Sequence, residues 1–326
     1  MAHLFSCNRV DSLNPVSNNE NSLFHWQRPA LQKPNIILIL GDDVGYEIPT
    51  VNGGQSYATP NIDKMAQTGM RFTRCYASPL CSPSRFMLLT GKYNFRNYDK
   101  WGIMSDTNRT IANMLKDAGY KTTVAGKWQL DGGDISIHKF GFDEYMVWSP
   151  FSPGGLTEEG KGSRYKNPVI YQNGSFIKGE ATLGKYGDDM FVEYLGKFID
   201  SNKTKPFFIY YPICLVHQPF DPTPNDPEFA TWDPRTSISD SKFFPSMVNY
   251  MDVEVGKIID KVNLSGIAKN TIVIFVGDNG TDGRIISRFD GYSIRGEKSQ
   301  SIEYGEHVPM LIWWKGSIQP ETVNDA

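Results

Sequence analysis

Short apolar runs recur along this chain, and each is followed or preceded by a stretch with helical periodicity. Asn35–Leu40 is apolar without a break after its first residue and ends at Gly41, so a strand here has no solvent-facing side. A strand covered on both faces belongs to a parallel sheet. Tyr120–Ala125, Pro206–Cys214, Thr271–Val276 and Val308–Trp314 read as further strands. Between them lie amphipathic segments. Thr59 suits an N-cap and Pro60 the first helical position, Ile62, Met65 and Ala66 form an apolar stripe, and Gly69 is the stop. Ile111, Met114, Leu115 and Ala118 fall at i, i+3, i+4 and i+7, with Gly119 closing that helix. Tyr186, Met190, Phe191, Tyr194, Leu195, Phe198 and Ile199 predict a third helix, and Val248, Met251, Val255, Ile258, Ile259 and Val262 a fourth. Parallel neighbours need crossover connections, so this alternation predicts an α/β fold with a doubly wound, mostly parallel sheet sandwiched by helices.

Composition removes several function classes. Of 326 residues, 40% are hydrophobic and 21% charged, a globular profile, and the net charge of -3 offers no basic footprint for nucleic acid. The apolar runs are far shorter than the roughly 20 residues a membrane-spanning helix needs, so no membrane span is expected. Cys7, Cys75, Cys81 and Cys214 have neither CxxC spacing nor the density of a disulfide scaffold. The first residues lack an apolar core, so no signal peptide is expected there. Residues 1–33, rich in Asn and Ser, read as an irregular tail, and 34–326 as the folded domain. Residues 131–180 are rich in Gly and Pro without a clean period and predict an irregular insertion that shapes a substrate mouth.

The polar residues after the expected strands carry the chemistry, because ligands in open α/β sheets bind outside the carboxyl ends of the strands. Asp42 and Asp43 follow the first strand, Lys127 and Gln129 the second, His217 the third, and Asp278 with Asn279 the fourth. Asp-Asp after a strand also suits a turn or helix cap, and Asp-Asn-Gly a turn. Three carboxylates and an amide carbonyl gathered at one sheet edge form a hard-oxygen set suited to Ca²⁺ or Mg²⁺.

The segment Cys81-Ser82-Pro83-Ser84-Arg85 resembles the C-x-P-S-R signature of the sulfatase family, within the alkaline-phosphatase superfamily. Its flanks, Tyr76–Leu80 and Leu88–Lys92, look like that family's surroundings for the site. Further similarities run in order along residues 34 to 315: Asn35–Gly45, Thr59–Asp63, Gly126-Lys127-Trp128, Phe140–Asp143, His217–Phe220, Gly277–Gly280, and Lys298 with Glu303–Pro309. The resemblance implies that Cys81 is oxidised after translation to formylglycine by a formylglycine-generating or sulfatase-maturating enzyme. It implies one divalent cation, Ca²⁺ or alternatively Mg²⁺, held by Asp42, Asp43, Asp278 and Asn279, with an oxygen of modified Cys81 completing the shell. The hydrated aldehyde would supply the hydroxyl that attacks sulfur, and its second hydroxyl would expel sulfate, an exit that serine lacks. Arg85 would fix the nucleophile; Lys127, Gln129, His217 and Lys298 would bind the sulfate ester, and His217 or Lys298 would protonate the leaving alcohol. The implied substrate is a small or carbohydrate sulfate ester, and family habit suggests an extracytoplasmic location.

The chain also departs from the pattern. Gln129 stands where many family members carry a histidine credited as a base, and glutamine has no accessible proton equilibrium. Tyr304 and His307 replace a glycine and an arginine, and the family's C-terminal subdomain is expected to be largely absent from this chain. Two alternatives to a sulfuric ester hydrolase therefore stand beside it: a phosphodiesterase or phosphonate monoester hydrolase of the same superfamily, and an inactive relative that binds sulfated glycans.

Overall fold

The computed structural model describes residues 33–98, 102–105, 107–130, 132–148, 162–177 and 179–325. The run at 35–40 forms β1 (Asn35–Gly41); it is followed by β2 (Met70–Phe72), β3 (Lys121–Lys127), β4 (Glu144–Trp148), β5 (Tyr171–Gln172), β6 (Ser175–Phe176), β7 (Phe207–Pro212) and β8 (Thr271–Gly277). Then come a separate hairpin, β9 (Ile286–Phe289) and β10 (Tyr292–Arg295), and two late strands, β11 (Met310–Trp313) and β12 (Thr322–Asn324). The helices are α1 (Pro60–Gln67), α2 (Cys81–Thr90), α3 (Ile111–Asp117), α4 (Gly133–Lys139), α5 (Gly179–Thr182), α6 (Gly187–Asn202), α7 (Phe244–Leu264) and α8 (Glu303–Glu306).

Across the main sheet the order is β12-β2-β11-β8-β1-β7-β3-β4-β5-β6. The central strands β8, β1, β7, β3 and β4 are parallel, as the doubly wound reading expects. β1 pairs with β8 on one side and β7 on the other, so the connections leaving these strands diverge and open a crevice at their carboxyl ends. Side chains alternate across a strand, and β1 feeds two cores accordingly. Ile37 and Ile39 pack with Phe191, Leu195, Phe198 and Ile199 of α6 and Met251, Val255 and Ile258 of α7. Leu38 and Leu40 join Phe86 and Leu89 of α2 and Ala112 of α3 on the other face.

Several expectations are corrected. Val308–Trp314 does not join the parallel core: β11 runs antiparallel to both β8 and β2, because the chain that leaves β8 passes through β9, β10 and α8 and re-enters at the same sheet edge, with Met310 beside Val276. Of the stripe Ile111-Met114-Leu115-Ala118, Ile111 and Leu115 pack against the core, half-buried, while Met114 and Ala118 are exposed. Ala112 is buried while Met114 is exposed, since a capping box between Thr110 and Asn113, with Thr110 Oγ1 donating to Phe140 O and Asn113 Nδ2 to Lys139 O, pins the first turn and rotates Ala112 inward. Thr59 does not cap α1 through its side chain. Asp252 of α7 does so, accepting from the amides of Asn61 (3.0 Å) and Ile62 (2.8 Å). The described part of 131–180 contains α4, β4, β5, β6 and the start of α5, too short to leave a period; residues 131, 149–161 and 178 lie outside the described residues, as do 1–32 of the expected tail.

α6 begins against the loop after β7. Asp188, fully buried, accepts from Cys214 N at 3.1 Å and Tyr211 Oη at 3.3 Å, while its Oδ2 has no partner. Burial pushes its carboxyl up to about 7. The folded chain therefore holds this proton more tightly than the unfolded chain. The group's contribution to stability is complete below the ordinary carboxylate pKa and is lost as pH rises through about 7. The Asp188→Asn variant is expected to gain on the order of 1–4 kcal/mol over the parent at pH 8 and little near pH 4. Urea midpoints of both proteins at the two pH values check this, and a parent-to-variant difference that does not change with pH would refute it.

Candidate active site

The crevice at the carboxyl ends of β1, β3 and β8 gathers the residues singled out above. Asp42 and Asp43 leave β1 directly; Asp278 and Asn279 leave β8, and Asp278 N donates to Gly41 O while Asp43 N donates to Asp278 Oδ1 at 3.0 Å. The backbone thus ties the two acidic turns together. Cys81 and Arg85 stand one helical turn apart at the start of α2, both buried, so one helix face presents thiol and guanidinium together. Lys127 ends β3, two residues beyond the expected strand. Gly126 allows this extension: its φ is +119° and a Cβ there would lie 2.2 Å from Pro212 O, so only glycine lets β3 continue this close to β7.

Charge is densely paired in this crevice. Lys127 Nζ lies 2.9 and 2.6 Å from the two oxygens of Asp42, with both side chains fully buried. Arg85 donates from Nη1 to Lys127 O at 2.9 Å and from Nη2 to Asp278 Oδ2 at 3.0 Å. Lys298 Nζ reaches Asp43 at 2.7 Å, and Asn279 Nδ2 donates to Asp43 Oδ1 at 2.8 Å. His217 Nε2 lies 3.9 Å from Asp43, and its Nδ1 meets Gln218 O at 2.6 Å, the contact of an Nδ1–H tautomer. Gln129 Oε1 is 4.0 Å from Cys81 Sγ. Every residue assigned from the sequence is therefore brought to one crevice. Asp43, Gln129 and Ser299, which follows Lys298, adopt left-handed backbone with φ of +61°, +50° and +72°, a concentration of local strain typical of functional sites.

The electrostatics follow from burial. It pushes Asp278 up to about 7, helped by the Asp42 charge and opposed by Arg85. Burial is the largest influence on Asp42 and raises it, but Lys127, His217, Arg85 and Lys298 together outweigh burial and hold that carboxyl below the usual range. The Cys81 thiol is raised by burial, so as a free thiol it is a poor thiolate nucleophile near neutral pH. Burial and Lys127 lower His217 to about 4, leaving it neutral. Burial pulls Lys298 down, yet Asp43 and Asp42 prevail and keep it charged.

The donor set fits a hard divalent cation. Ligand atoms of Asp42, Cys81 and Asp278 lie within 4.8 Å of one another, and those of Asp42, Asp43 and His217 do likewise. Asn279 Oδ1 is buried without a hydrogen-bond partner, a carbonyl oxygen suited to such an ion.

Sequence reasoning missed Arg164, which lies within the 131–180 stretch. Its Nη1 is 3.8 Å from Asp42 Oδ2 and its guanidinium stacks 3.9 Å over Trp148. A lone Arg in a segment without a period carries no signal of this placement. His138 is engaged with Phe142 O and Asp134, and His307 is stacked between Tyr46 and Tyr76, so neither serves the crevice in place of the missing histidine.

Comparison with known proteins identifies the family. A family model described as Sulfatase matches residues 34–326. The chain is 33% identical over 325 residues to N-acetylgalactosamine-6-sulfatase of Mus musculus, covering 89% of this chain and 59% of that protein. It is 30% identical over 362 residues to N-acetylgalactosamine-6-O-sulfatase of Bacteroides thetaiotaomicron, covering 89% and 69%. The crystal structure of Ps i-CgsB is similar with a TM-score of 0.74 and 27% identity, covering 90% of this chain and 68% of that one, and Ps i-CgsB has also been solved in complex with k-i-k-neocarrahexaose. The chain thus spans less than two thirds of the mouse relative's length.

Proposed function

The chain belongs to the sulfatase family, and from that premise we propose that it hydrolyses sulfate esters with Cys81, matured to formylglycine, as the nucleophile-bearing residue. The observation that carries this reading is the meeting of Cys81, Asp42 and Asp278 within 4.8 Å in a buried crevice ringed by Arg85, Lys127 and Lys298. A raised thiol pKa argues that the side chain acts in another chemical form, and the hydrated aldehyde would supply a nucleophilic hydroxyl there. Asp42, Asp43, Asp278 and Asn279 would hold one divalent cation, Ca²⁺ or Mg²⁺, which when bound would screen the ester's charge and favour the ionised hydroxyl.

The chain's own side chains divide the remaining work. Arg85 orients the group at position 81 with its two nitrogens already fixed on Lys127 O and Asp278. Lys127 and Lys298 offer positive charge to the transferring group. Lys298, kept charged, holds a proton at Nζ for the leaving alcohol. Neutral His217 presents an unprotonated Nε2, the atom placed to accept a proton that Gln129 cannot take. The names of the relatives, and the oligosaccharide bound to Ps i-CgsB, support a sulfated glycan as substrate class.

Steady-state rates on an aryl sulfate and an aryl phosphate diester test the reaction, with sulfate expected to be preferred by at least about tenfold in kcat/KM. A diester preference would move the protein to the phosphodiesterase alternative. Mass spectrometry of the Cys81 peptide, from a host with the maturation enzyme, is expected to show SH₂ replaced by O. Hydrolysis by a chain still bearing the free thiol would remove the proposed mechanism.

A further inference from the structure

Arg164 is 9% exposed, and its Nη1 is buried with no hydrogen-bond partner. A buried guanidinium N–H without an acceptor is costly, and Asp42 does not provide one, because 3.8 Å is an ion-pair distance and too long for a hydrogen bond. The cations supplied by the sequence motifs are differently occupied: Lys127 on both oxygens of Asp42, Lys298 on Asp43, and Arg85 on Asp278 and a backbone carbonyl. Arg164 therefore brings a donor into the crevice that the acidic cluster leaves open.

Its position is set by rigid neighbours. Trp148, the last residue of β4, covers one face of the guanidinium and donates from Nε1 to Gly162 O at 3.1 Å. Gly187 N donates to Tyr165 O at 2.9 Å, and a Cβ on Gly187 would fall 2.0 Å from Arg164 O, so the backbone of Arg164 lies hard against the start of α6. Tyr165 Oη donates to Cys214 O at 2.9 Å and also meets His217 O, locking the segment to the loop that carries His217. With one face stacked, the N–H groups of a planar guanidinium are directed along its edge, and one edge approaches Asp42.

We infer that Arg164 is a sulfate-recognition residue, donating Nη1–H to a non-bridging oxygen of the ester sulfate beside Asp42 and Cys81. This deepens the sulfatase reading and rests on it for the ester, while the contact itself needs only a tetrahedral oxyanion. An ester sulfate offers several equivalent acceptor oxygens and one negative charge, which suits a preorganised planar donor in a dry crevice.

The test uses the full chain with Arg164→Met, which keeps the stack on Trp148, and Arg164→Lys, which keeps the charge. Calorimetric titration with inorganic sulfate and kinetics on an aryl sulfate are the readouts, with circular dichroism as a check on folding. Arg164→Met is expected to weaken inorganic sulfate binding and to lower kcat/KM roughly 10- to 100-fold, mostly through KM, with partial recovery in Arg164→Lys. Sulfate affinity within about twofold of the parent in Arg164→Met overturns the inference, as does a parent that does not bind inorganic sulfate. If the parent binds sulfate through Arg164 but turns over no sulfate ester, the recognition role stands and the hydrolase reading falls.

Discussion

Replacing Cys81 with alanine is expected to reduce hydrolysis of an aryl sulfate by about 10⁴-fold or more while leaving the fold intact. The side chain is small and occupies the first residue of α2, which keeps Ser82, Ser84, Arg85, Phe86 and Leu89 buried in place. Loss of one sulfur atom leaves a void of methyl-group scale, costing about 1 kcal/mol. The charged crevice around Arg85, Lys127 and Lys298 remains, but no atom is left to bond to sulfur. Cys81→Ser sharpens the point. A serine hydroxyl can accept a sulfuryl group but has no second hydroxyl to expel it, so this variant is expected to show at most a single turnover. Rates measured beside far-UV circular dichroism decide the matter: an alanine variant that is folded and turns over at a tenth of the parent rate or faster excludes position 81 as the nucleophile.

Stripping divalent cations is expected to have the next largest effect, a loss of about 10³-fold in kcat/KM that Ca²⁺ or Mg²⁺ restores. Asp42 and Asp278 belong to one cluster with ligand atoms within 4.8 Å, and repulsion between them contributes to the rise of Asp278 to about 7. A dication held by these residues would offset that repulsion, and Asn279 Oδ1, buried without a hydrogen-bond partner, would be available to it. Binding to the folded chain alone also stabilises it, by about 2.7 kcal/mol at a hundredfold excess over Kd. Metal analysis and thermal melts supply readouts independent of activity: one ion per chain in the parent, and less than half that in Asp278→Ala. Full activity and an unchanged melting temperature in the stripped protein would contradict the site.

The legibility of this molecule follows from how local each signal is. β1 and β8 were readable because a strand buried on both faces must be apolar throughout, and Gly41 and Gly277 mark where each gives way to acids. The metal-type residues were readable for the same reason: they are the first polar groups beyond those strands. In α3 only Ile111 and Leu115 of the periodic stripe face the core, beside buried Ala112, because its orientation is chosen by hydrogen bonds to Phe140 and Lys139, residues far along the chain that periodicity does not register. β11 was read as a strand but not as an antiparallel one, since direction depends on its neighbours β8 and β2.

The sequence by itself determined the layered α/β architecture and, from the polar residues after the strands, Asp42, Asp43, Lys127, Asp278 and Asn279 of the crevice, because burial and strand ends leave periodic or positional traces; Cys81, Arg85 and Lys298 came from the resemblance of their motifs to a known family. Which cation serves which carboxylate, the neutrality of His217 and the entry of Arg164 were decided only by tertiary structure. Those properties depend on distance and dielectric between groups remote in sequence, and a linear pattern carries no measure of either.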